Sequence, residues 1–295
     1  MYDASMVLAQ LLGSVSQAAF MQEHFLRLPF ALAGGCADFC HCGDWRAASR
    51  ILSSPGADVI VGSAKQRYDG PLPKSLEETK ALLAQGLTVG VRHAEKHDAA
   101  LGNLARQFAA DFRAPIDVHL YCTPAGQPGF GWHYDAEDVF VLQTVGKKDW
   151  WLRKNTVNPW PLVETLPQDM KYEREIMPAM RCLLAAGDWL YIPAGYWHRT
   201  ESAEESISLS VGIESPSAIS VFDFLRPQLL DSLRWRQRLP PAGAAAANSD
   251  SELVAQYQAL FQELGADLAK LLANPKTAAA FLNSLKRPPG PAGES

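Results

Sequence analysis

The chain has 295 residues, enough for one large core or for a catalytic domain with a smaller appendage. Hydrophobic residues make up 47% of it and charged residues 20%, the ordinary composition of a globular protein. The formal net charge of −5 gives no overall positive field towards phosphate backbones, which weakens a nucleic-acid-binding interpretation.

The N-terminus does not have the pattern of a secretory signal. Several apolar residues cluster in MYDASMVLAQLLGSVSQAAF, but Asp3 replaces the basic start and polar residues interrupt the run, so we predict an amphipathic helix. No stretch approaches ~20 uninterrupted apolar residues, and we expect no membrane span. An odd number of cysteines, 5, indicates a reducing compartment rather than a disulfide framework. We therefore expect a cytoplasmic protein.

Residues 1–115 have a mixed pattern of α and β elements, which we expect to flank the main core. Helices are predicted at MVLAQLL and SQAAFMQEHFLRL, and strands at PFALAGG and ADVIVGSA. A well-signalled helix follows at SLEETKALLAQG, which begins with serine and glutamates and stops at Gly86. The segment closes with a strand at LTVGVRH and a helix at DAALGNLARQFAADF, which ends before Pro115.

Residues 116–215 change to short strands separated by turns that contain Gly, Pro and Asp. The predicted strands are IDVHLYCTP, DVFVLQTVG, KDWWLRK, MRCLLAAGD, WLYIPAG and ESISLSVGI. Many strands at short intervals indicate a β-sandwich or barrel. The fold class predicted from the pattern is therefore mainly β with flanking helices.

The chain returns to a helical pattern over residues 216–286. A helix is expected in AISVFDFLRPQLLDSLRWRQRL with a break at Pro227, followed by the small polar linker PAGAAAANSD. A final helical pair is predicted at SELVAQYQALFQELGADLAKLLA and KTAAAFLNSL. We expect residues 287–295 to be a disordered tail.

A candidate metal site begins in GFGWHYDAEDVF, where His133 and Asp135 precede an apolar alternating run. The HxD tripeptide alone is weak evidence, since a histidine at a strand edge is usually a solvated polar residue. A second element, GDWLYIPAGYWH, contains a strand, a turn and His198, and can carry that histidine back across a barrel. Two imidazoles and one carboxylate leave three open positions on a metal, which suits non-haem Fe(II) and O₂ chemistry. Zinc would more often complete a tetrahedron with further protein ligands.

These elements resemble the JmjC-type cupin oxygenases, which use Fe(II), 2-oxoglutarate and O₂, and especially their ribosomal-oxygenase branch. The matching stretches are YCTPAGQPGFGWHYDAEDVFVLQTVGKKDWWL and GDWLYIPAGYWH. With the weaker element FMQEHFLRLPFALAGG, the resemblance covers roughly residues 20–240. It implies a double-stranded β-helix (cupin or jelly-roll) core at residues 116–215, whose mouth holds iron at His133, Asp135 and His198.

The resemblance also implies a residue that binds the distal carboxylate of 2-oxoglutarate. The family places a Lys or Arg at the position of Lys148, fifteen residues after His133. A buried ammonium opposite a carboxylate makes a charge-assisted pair, which a neutral residue cannot replace. The alternative is a solvated turn lysine, which is our interpretation of neighbouring Lys147.

Three further cosubstrate candidates lie on the predicted barrel strands. Tyr121 matches a family tyrosine that hydrogen-bonds the cosubstrate. His119 lies on the same strand face, where ribosomal oxygenases commonly have asparagine, so it either donates to 2-oxoglutarate or shapes the substrate cleft. Ser210, in the last barrel strand, is a weaker candidate.

Other patterns are interpreted as structural. The C-x₃-C-H-C run lacks the paired C-x₂-C knuckles of structural zinc sites, and HAEKH lacks the glutamate of a metalloprotease helix. The tryptophans of the β region are expected in the barrel core and rim rather than in a platform for stacking bases. The residues concerned are Cys36, Cys40, His41, Cys42, His93, His97, Trp150, Trp151, Trp189 and Trp197.

The activity that the resemblance implies is hydroxylation of a C–H bond, with 2-oxoglutarate converted to succinate and CO₂. It favours a side chain in a protein or peptide, such as a ribosomal protein, as the substrate. Free amino acids, natural-product peptides and modified tRNA bases are alternatives, as is N-methyl demethylation, which begins with the same hydroxylation. Outside this class, a non-catalytic or isomerase-type metal cupin often has additional His or Glu ligands and needs no lysine at position 148.

The helices after the barrel carry apolar stripes at three- and four-residue spacing. The simpler interpretation is that these stripes pack on each other and on the barrel wall. Ribosomal oxygenases dimerise through a helical segment at this place and then add a winged-helix domain, for which we expect too little chain here. We therefore predict a homodimer built mainly from residues 216–285.

Overall fold

A seven-stranded and a three-stranded antiparallel sheet form the framework of the fold. The computed structural model describes residues 6–64, 68–168, 170–242 and 249–285. The strands are β1 (Phe30–Leu32), β2 (Asp58–Gly62), β3 (Thr88–Arg92), β4 (Ile116–Thr123), β5 (Asp138–Val145), β6 (Lys147–Arg153), β7 (Met180–Ala185), β8 (Trp189–Ile192), β9 (Trp197–Ser202) and β10 (Ser206–Ile213). Their order is β1-β8-β5-β10-β4-β3-β2 in the large sheet and β7-β6-β9 in the small one.

Six of the eight described helices begin at a residue whose side chain caps them. The helices are α1 (Val7–Leu12), α2 (Gln17–Glu23), α3 (Trp45–Leu52), α4 (Leu76–Ala84), α5 (Ala99–Phe112), α6 (Ser220–Asp231), α7 (Asp250–Ala273) and α8 (Pro275–Ser284). Of these, α1 and α6 begin without a side-chain cap. The Asp98 carboxylate accepts hydrogen bonds from the first turn of α5, and Ser75 caps α4 in the same way. Two of the helices that the sequence predicts therefore start at their predicted polar residues.

Two apolar clusters hold the sheets and helices together. The larger one packs the N-terminal helices and α5 against the large sheet, with Phe20, Phe108 and Trp189 fully buried in it. The smaller one joins side chains of the two sheets: Val139, Val141, Trp150, Leu152, Leu184, Leu190, Ile192 and Tyr196. Because strands from both sheets share this second cluster, the sheets face each other as in a jelly roll. This arrangement confirms the predicted fold class.

Some local predictions differ from the structure. The helix predicted over residues 16–28 ends at Glu23, and α3 and β9 were not predicted as elements. The expected break at Pro227 is wrong, because this residue lies inside α6. Proline removes one backbone N–H from the helix, but its fixed φ is close to the helical value, so the turns on both sides persist.

The chain divides into two compact units, Met1–Ser215 and Pro216–Ser295. In the second unit, Ser249 and Glu252 form a capping box at the start of α7. The Trp235 indole donates a hydrogen bond to Asp267, and Phe224 packs edge-on against Phe281. Most of the predicted linker, residues 243–248, and the predicted tail, residues 287–295, lie outside the described residues. Among the helices that are described, none combines the length and the apolar character needed to cross a membrane.

Candidate active site

All seven residues that the sequence singled out line a single cavity of about 240 Å³. The cavity lies among strands of the two facing sheets, where β4, β5, β6, β9 and β10 each contribute side chains. The residues are His119, Tyr121, His133, Asp135, Lys148, His198 and Ser210. The structure therefore brings together groups that are far apart in the sequence.

Backbone hydrogen bonds hold His133 and His198 side by side. His133 lies in the segment between β4 and β5, and His198 is the second residue of β9. The His133 N–H donates to the His198 carbonyl at 3.0 Å, and the His198 N–H donates back at 2.8 Å. The Asp135 carboxylate lies 3.5 Å from Nε2 of His198, and one ligand atom from each of the three residues lies within 4.8 Å of the others. This spacing fits a shared metal ion.

Both imidazoles are oriented by hydrogen bonds of their Nδ1 atoms. Nδ1 of His133 lies 2.9 Å from the Gly131 carbonyl, and Nδ1 of His198 lies 3.0 Å from the Tyr196 carbonyl. A carbonyl only accepts, so Nδ1 donates in each case and Nε2 keeps its lone pair. Gly131 has φ +86°, a conformation that favours glycine and that aims its carbonyl at the ring.

Burial keeps His198 in the form that can bind a metal. Desolvation, together with the neighbouring His133, lowers the pKa of His198 to about 4. The ring is therefore neutral at physiological pH and has no proton to lose before it acts as a ligand.

Lys148 is a buried cation held by hydroxyl groups. Its side chain enters the cavity from β6, with 3% of the residue exposed. Nζ donates to Oγ1 of Thr123 at 3.1 Å and to Oγ of Ser208 at 2.9 Å. Burial lowers the pKa of Lys148 to about 8. The described residues place no carboxylate within ion-pair distance, so the site has room for an anion from outside the protein.

The remaining candidates lie on two paired strands beside this lysine. His119 and Tyr121 are on one face of β4, with ring centroids 6.3 Å apart, and Ser210 of β10 pairs with His119. Burial lowers the pKa of His119 and raises that of Tyr121, so both are neutral near pH 7. Nδ1 of His119 is buried without a hydrogen-bond partner. Each can therefore offer a donor to a molecule in the cavity.

Sequence reasoning missed several polar residues of the cavity, among them Thr123, Ser208 and Glu137. Thr123 and Ser208 hold Lys148, and Glu137 places its carboxylate where a Cβ on Gly212 would overlap it. Burial, followed by the charges of neighbouring carboxylates, raises the pKa of Glu137 to about 7. A period of two could have found Thr123 and Ser208, because residues 121 and 123, like 208 and 210, share a face of a strand.

The cysteine-rich segment is engaged in local hydrogen bonds. The Cys36 thiol donates to the Asp188 carbonyl at 3.0 Å, and the Cys40 thiol donates to the Cys36 carbonyl. Burial raises the pKa of Cys36 to about 12 and that of Cys42 to about 11. These thiols are therefore poor nucleophiles.

The two histidines of HAEKH have separate partners. His93 pairs with Asp117 at 2.9 Å, and His97 lies 3.0 Å from the Ser54 hydroxyl. Ligand atoms of His93, Glu95 and Asp117 also lie within 4.8 Å of one another. One oxygen of Glu95 already accepts the Val118 N–H, and His93 is already hydrogen-bonded to Asp117, so these side chains have partners within the protein near the start of β4.

Comparison with known proteins finds similarity over part of the chain. The JmjC domain family matches residues 95–221. A bifunctional lysine-specific demethylase and histidyl-hydroxylase NO66 from Dictyostelium discoideum is 33% identical over 135 residues, which cover 44% of this chain and 26% of that protein. Ribosomal oxygenase 1 from Gallus gallus is 32% identical over 155 residues, 48% of this chain and 25% of that protein. The chain thus spans about a quarter of the length of these curated relatives.

A solved structure shares the fold over most of the chain. YcfD, a ribosomal oxygenase from Escherichia coli in complex with cobalt and 2-oxoglutarate, superposes with a TM-score of 0.59. The match covers 95% of this chain and 76% of that one, at 19% identity. Residues 95–221 therefore match the JmjC domain family, and the chain shares its fold with this ribosomal oxygenase.

Proposed function

We propose that this protein is an Fe(II)- and 2-oxoglutarate-dependent oxygenase that hydroxylates a C–H bond of a protein side chain. One observation carries the proposal. A three-ligand His₂–Asp face lies in the same cavity as a buried lysine, which has no carboxylate partner among the described residues. The first suits a metal with open positions, and the second suits the far end of a dicarboxylate.

The donor set fits Fe(II). His133, Asp135 and His198 would hold the ion through two imidazole nitrogens and one carboxylate oxygen. The carbonyls of Gly131 and Tyr196 leave both Nε2 atoms available for it. Three protein ligands leave room for other molecules to bind the same ion, unlike a closed structural zinc site.

The polar groups around Lys148 fit 2-oxoglutarate. The ammonium would bind the distal carboxylate, while Thr123 and Ser208 keep its position and can turn their hydroxyl protons towards the same anion. Tyr121, with His119 and Ser210 as further candidates, would donate to the cosubstrate from β4 and β10. When bound, the metal and 2-oxoglutarate supply the oxidising chemistry, in which O₂ and 2-oxoglutarate yield one substrate hydroxyl, succinate and CO₂.

The cavity walls would orient the substrate. Gly212 leaves space for Glu137, whose carboxyl group lines the cavity beyond the metal ligands. Phe130 and Val163 line the same cavity and are partly exposed, at 37% and 65%, so they can contact a group that enters from solvent. Apolar contacts of this kind would exclude water from the reacting carbon.

The proposed substrate is an amino-acid side chain in a protein, such as a ribosomal one. The names of the relatives support this choice, since they describe a ribosomal oxygenase and a histidyl-hydroxylase. The name lysine-specific demethylase keeps N-methyl demethylation as a second candidate, which begins with hydroxylation of the methyl carbon. We also propose a cytoplasmic location, supported by five free cysteines, and a homodimer formed by the helices of the second unit.

The test uses the substrate itself. The His198→Ala variant, which should bind a partner without converting it, serves to capture proteins from a lysate. Captured proteins are incubated with wild-type protein, Fe(II) and 2-oxoglutarate and analysed by mass spectrometry. The proposal predicts a gain of one oxygen atom on a defined side chain. Loss of a methyl group instead favours demethylation, and no 2-oxoglutarate-dependent change in any captured protein contradicts the proposal.

A further inference from the structure

Aromatic and arginine side chains form a continuous stack across the small sheet. The guanidinium of Arg199 lies 4.1 Å from the Trp151 ring centroid and 5.6 Å from that of Trp132. The Trp132 ring stacks on Tyr172 with centroids 4.0 Å apart and planes 6° from parallel. At its two ends the stack continues to Arg181 and Arg153. We call these six side chains the arginine–aromatic stack.

The stack lies on the side of the small sheet opposite the cavity. Trp150 and His198 line the cavity, and their neighbours Trp151 and Arg199 alternate with them along β6 and β9. Successive side chains of a strand point to opposite faces, so the stack covers the outer face. Trp132 is likewise not among the described residues that line the cavity.

Two residues of the arginine–aromatic stack are sequence neighbours of proposed metal ligands. Trp132 directly precedes His133, and Arg199 directly follows His198. His133 is not in a regular strand; its pairing with His198 is an isolated β-bridge. The backbone around His133 is thus held to β9 by fewer hydrogen bonds than a strand would have, and contacts of the Trp132 side chain add to its restraint.

The charges of this face do not favour a nucleic-acid partner. Arg181 forms an ion pair with Asp149 at 2.9 Å, and Glu201 lies opposite Asp149 in the strand register. The guanidinium of Arg153 donates to the Glu175 carbonyl at 2.9 Å. Acidic groups are interleaved with the arginines, whereas binding to phosphates needs an excess of positive charge.

We propose that Trp132 and Arg199 are positioning residues, which hold His133 beside His198 in ligand geometry before a metal ion binds. The inference rests on the metal site of the proposed function. A site held in its bound geometry does not lose conformational freedom when the ion arrives, so its affinity is higher. Residues that orient metal ligands from outside typically contribute tenfold to a hundredfold to affinity.

In the experiment, the metal-free full chain is titrated with Co(II) under anaerobic conditions. Binding is measured by calorimetry and by the visible absorption of the bound ion. For Trp132→Leu we expect the dissociation constant for Co(II) to rise about tenfold or more and the absorption bands to change. Trp132→Phe keeps a ring that can stack on Tyr172 and should recover most of the affinity. The melting midpoint of each variant, measured without metal, shows whether it is folded.

A matched pair of variants separates positioning from general stability. Arg199→Gln and Arg181→Gln remove the same charge from the same stack. Of these two arginines, Arg199 lies over the Trp132 ring, as Arg153 also does, whereas Arg181 lies over Trp151. Arg199→Gln should weaken Co(II) binding severalfold, while Arg181→Gln should stay within about twofold of wild type. If Trp132→Leu does not fold, this comparison still tests the positioning role.

The outcomes distinguish failure of the positioning role from failure of the metal site on which it rests. If wild type binds Co(II) and the folded Trp132→Leu and Arg199→Gln variants bind it equally well with unchanged absorption, the positioning role is overturned and the metal site stands. If Arg181→Gln weakens binding as much as Arg199→Gln, the positioning role is also overturned, because the effect is then general. A wild type that binds no Co(II) overturns the metal site and, with it, this inference.

Discussion

The ammonium nitrogen of Lys148 lies 2.9 Å from the hydroxyl oxygen of Ser208, on facing strands of the two sheets. Both residues are almost completely buried, with 3% and 1% of their surface exposed. A hydroxyl group solvates a buried ammonium only in part, since it carries no negative charge. The relationship supports our proposal that a ligand carboxylate completes the environment of Lys148.

Lys148→Ala should mainly weaken binding of 2-oxoglutarate. The change removes the partner of the distal carboxylate and leaves the metal-chelating end of the molecule intact. Losing one member of a buried charge pair costs ~3 kcal/mol, about a hundredfold in affinity. Lys148→Arg should recover part of the affinity for 2-oxoglutarate that Lys148→Ala loses. Calorimetry with the metal-loaded protein measures the dissociation constant for 2-oxoglutarate. An unchanged value in the alanine variant would show that another residue binds the distal carboxylate.

Binding of 2-oxoglutarate should weaken as the pH rises through about 8. Burial depresses the pKa of Lys148 to about 8, so the free protein has the charged form below this pH and loses it above. The carboxylate needs the ammonium, and binding above pH 8 therefore requires uptake of a proton. Calorimetry in buffers of different ionisation enthalpy measures how many protons the protein takes up on binding. An affinity independent of pH between 7 and about 9 would contradict this assignment.

Each of His133→Ala, Asp135→Ala and His198→Ala should abolish turnover with little loss of folding. Each removes one of the three proposed protein bonds to the metal, and none of these side chains belongs to either apolar cluster. Turnover of 2-oxoglutarate at limiting iron, together with the melting midpoint of the metal-free protein, checks both parts. Full activity in any one variant would exclude that residue as a required ligand.

The second unit should make the chain a dimer. It exposes apolar side chains, including Leu233 at 79% shortly after α6, and Val254 at 65% and Phe261 at 60% on α7. Light scattering of the intact chain at tens of micromolar should give twice the mass of one chain. The double variant Leu229→Glu with Leu233→Glu should be a folded monomer by the same measurement. A monomeric wild type would refute the dimer, whatever its catalytic activity.

The sequence predicted the parts of the site that depend on local motifs. His133 and Asp135 lie two positions apart in extended chain, and His198 follows a strand and a turn with a clear pattern. The fold brings these segments together through the backbone pair between His133 and His198, which no local pattern encodes. Their convergence was therefore an expectation from the predicted barrel and from the resemblance.

Other features depend on packing between distant elements. β9 was missed because its outward residues Arg199 and Glu201 are charged, so WHRTES lacks the apolar alternation of a typical strand. The hydroxyls of Thr123 and Ser208 gain their role only where β4, β6 and β10 place them around Lys148. Glu137 was missed because glutamate in a loop is usually solvated, and only the fold shows its burial against Gly212.

The most direct test of the central claim is conversion of 2-oxoglutarate to succinate by the purified chain. With Fe(II) and O₂ present, wild type should form succinate, and the rate should fall to background when Fe(II) is withheld, in Asp135→Ala, or when O₂ is removed. Lys148→Ala should need far more 2-oxoglutarate for the same rate. Failure of the iron-loaded wild type to form succinate above background, even with the captured protein substrate, would contradict the account.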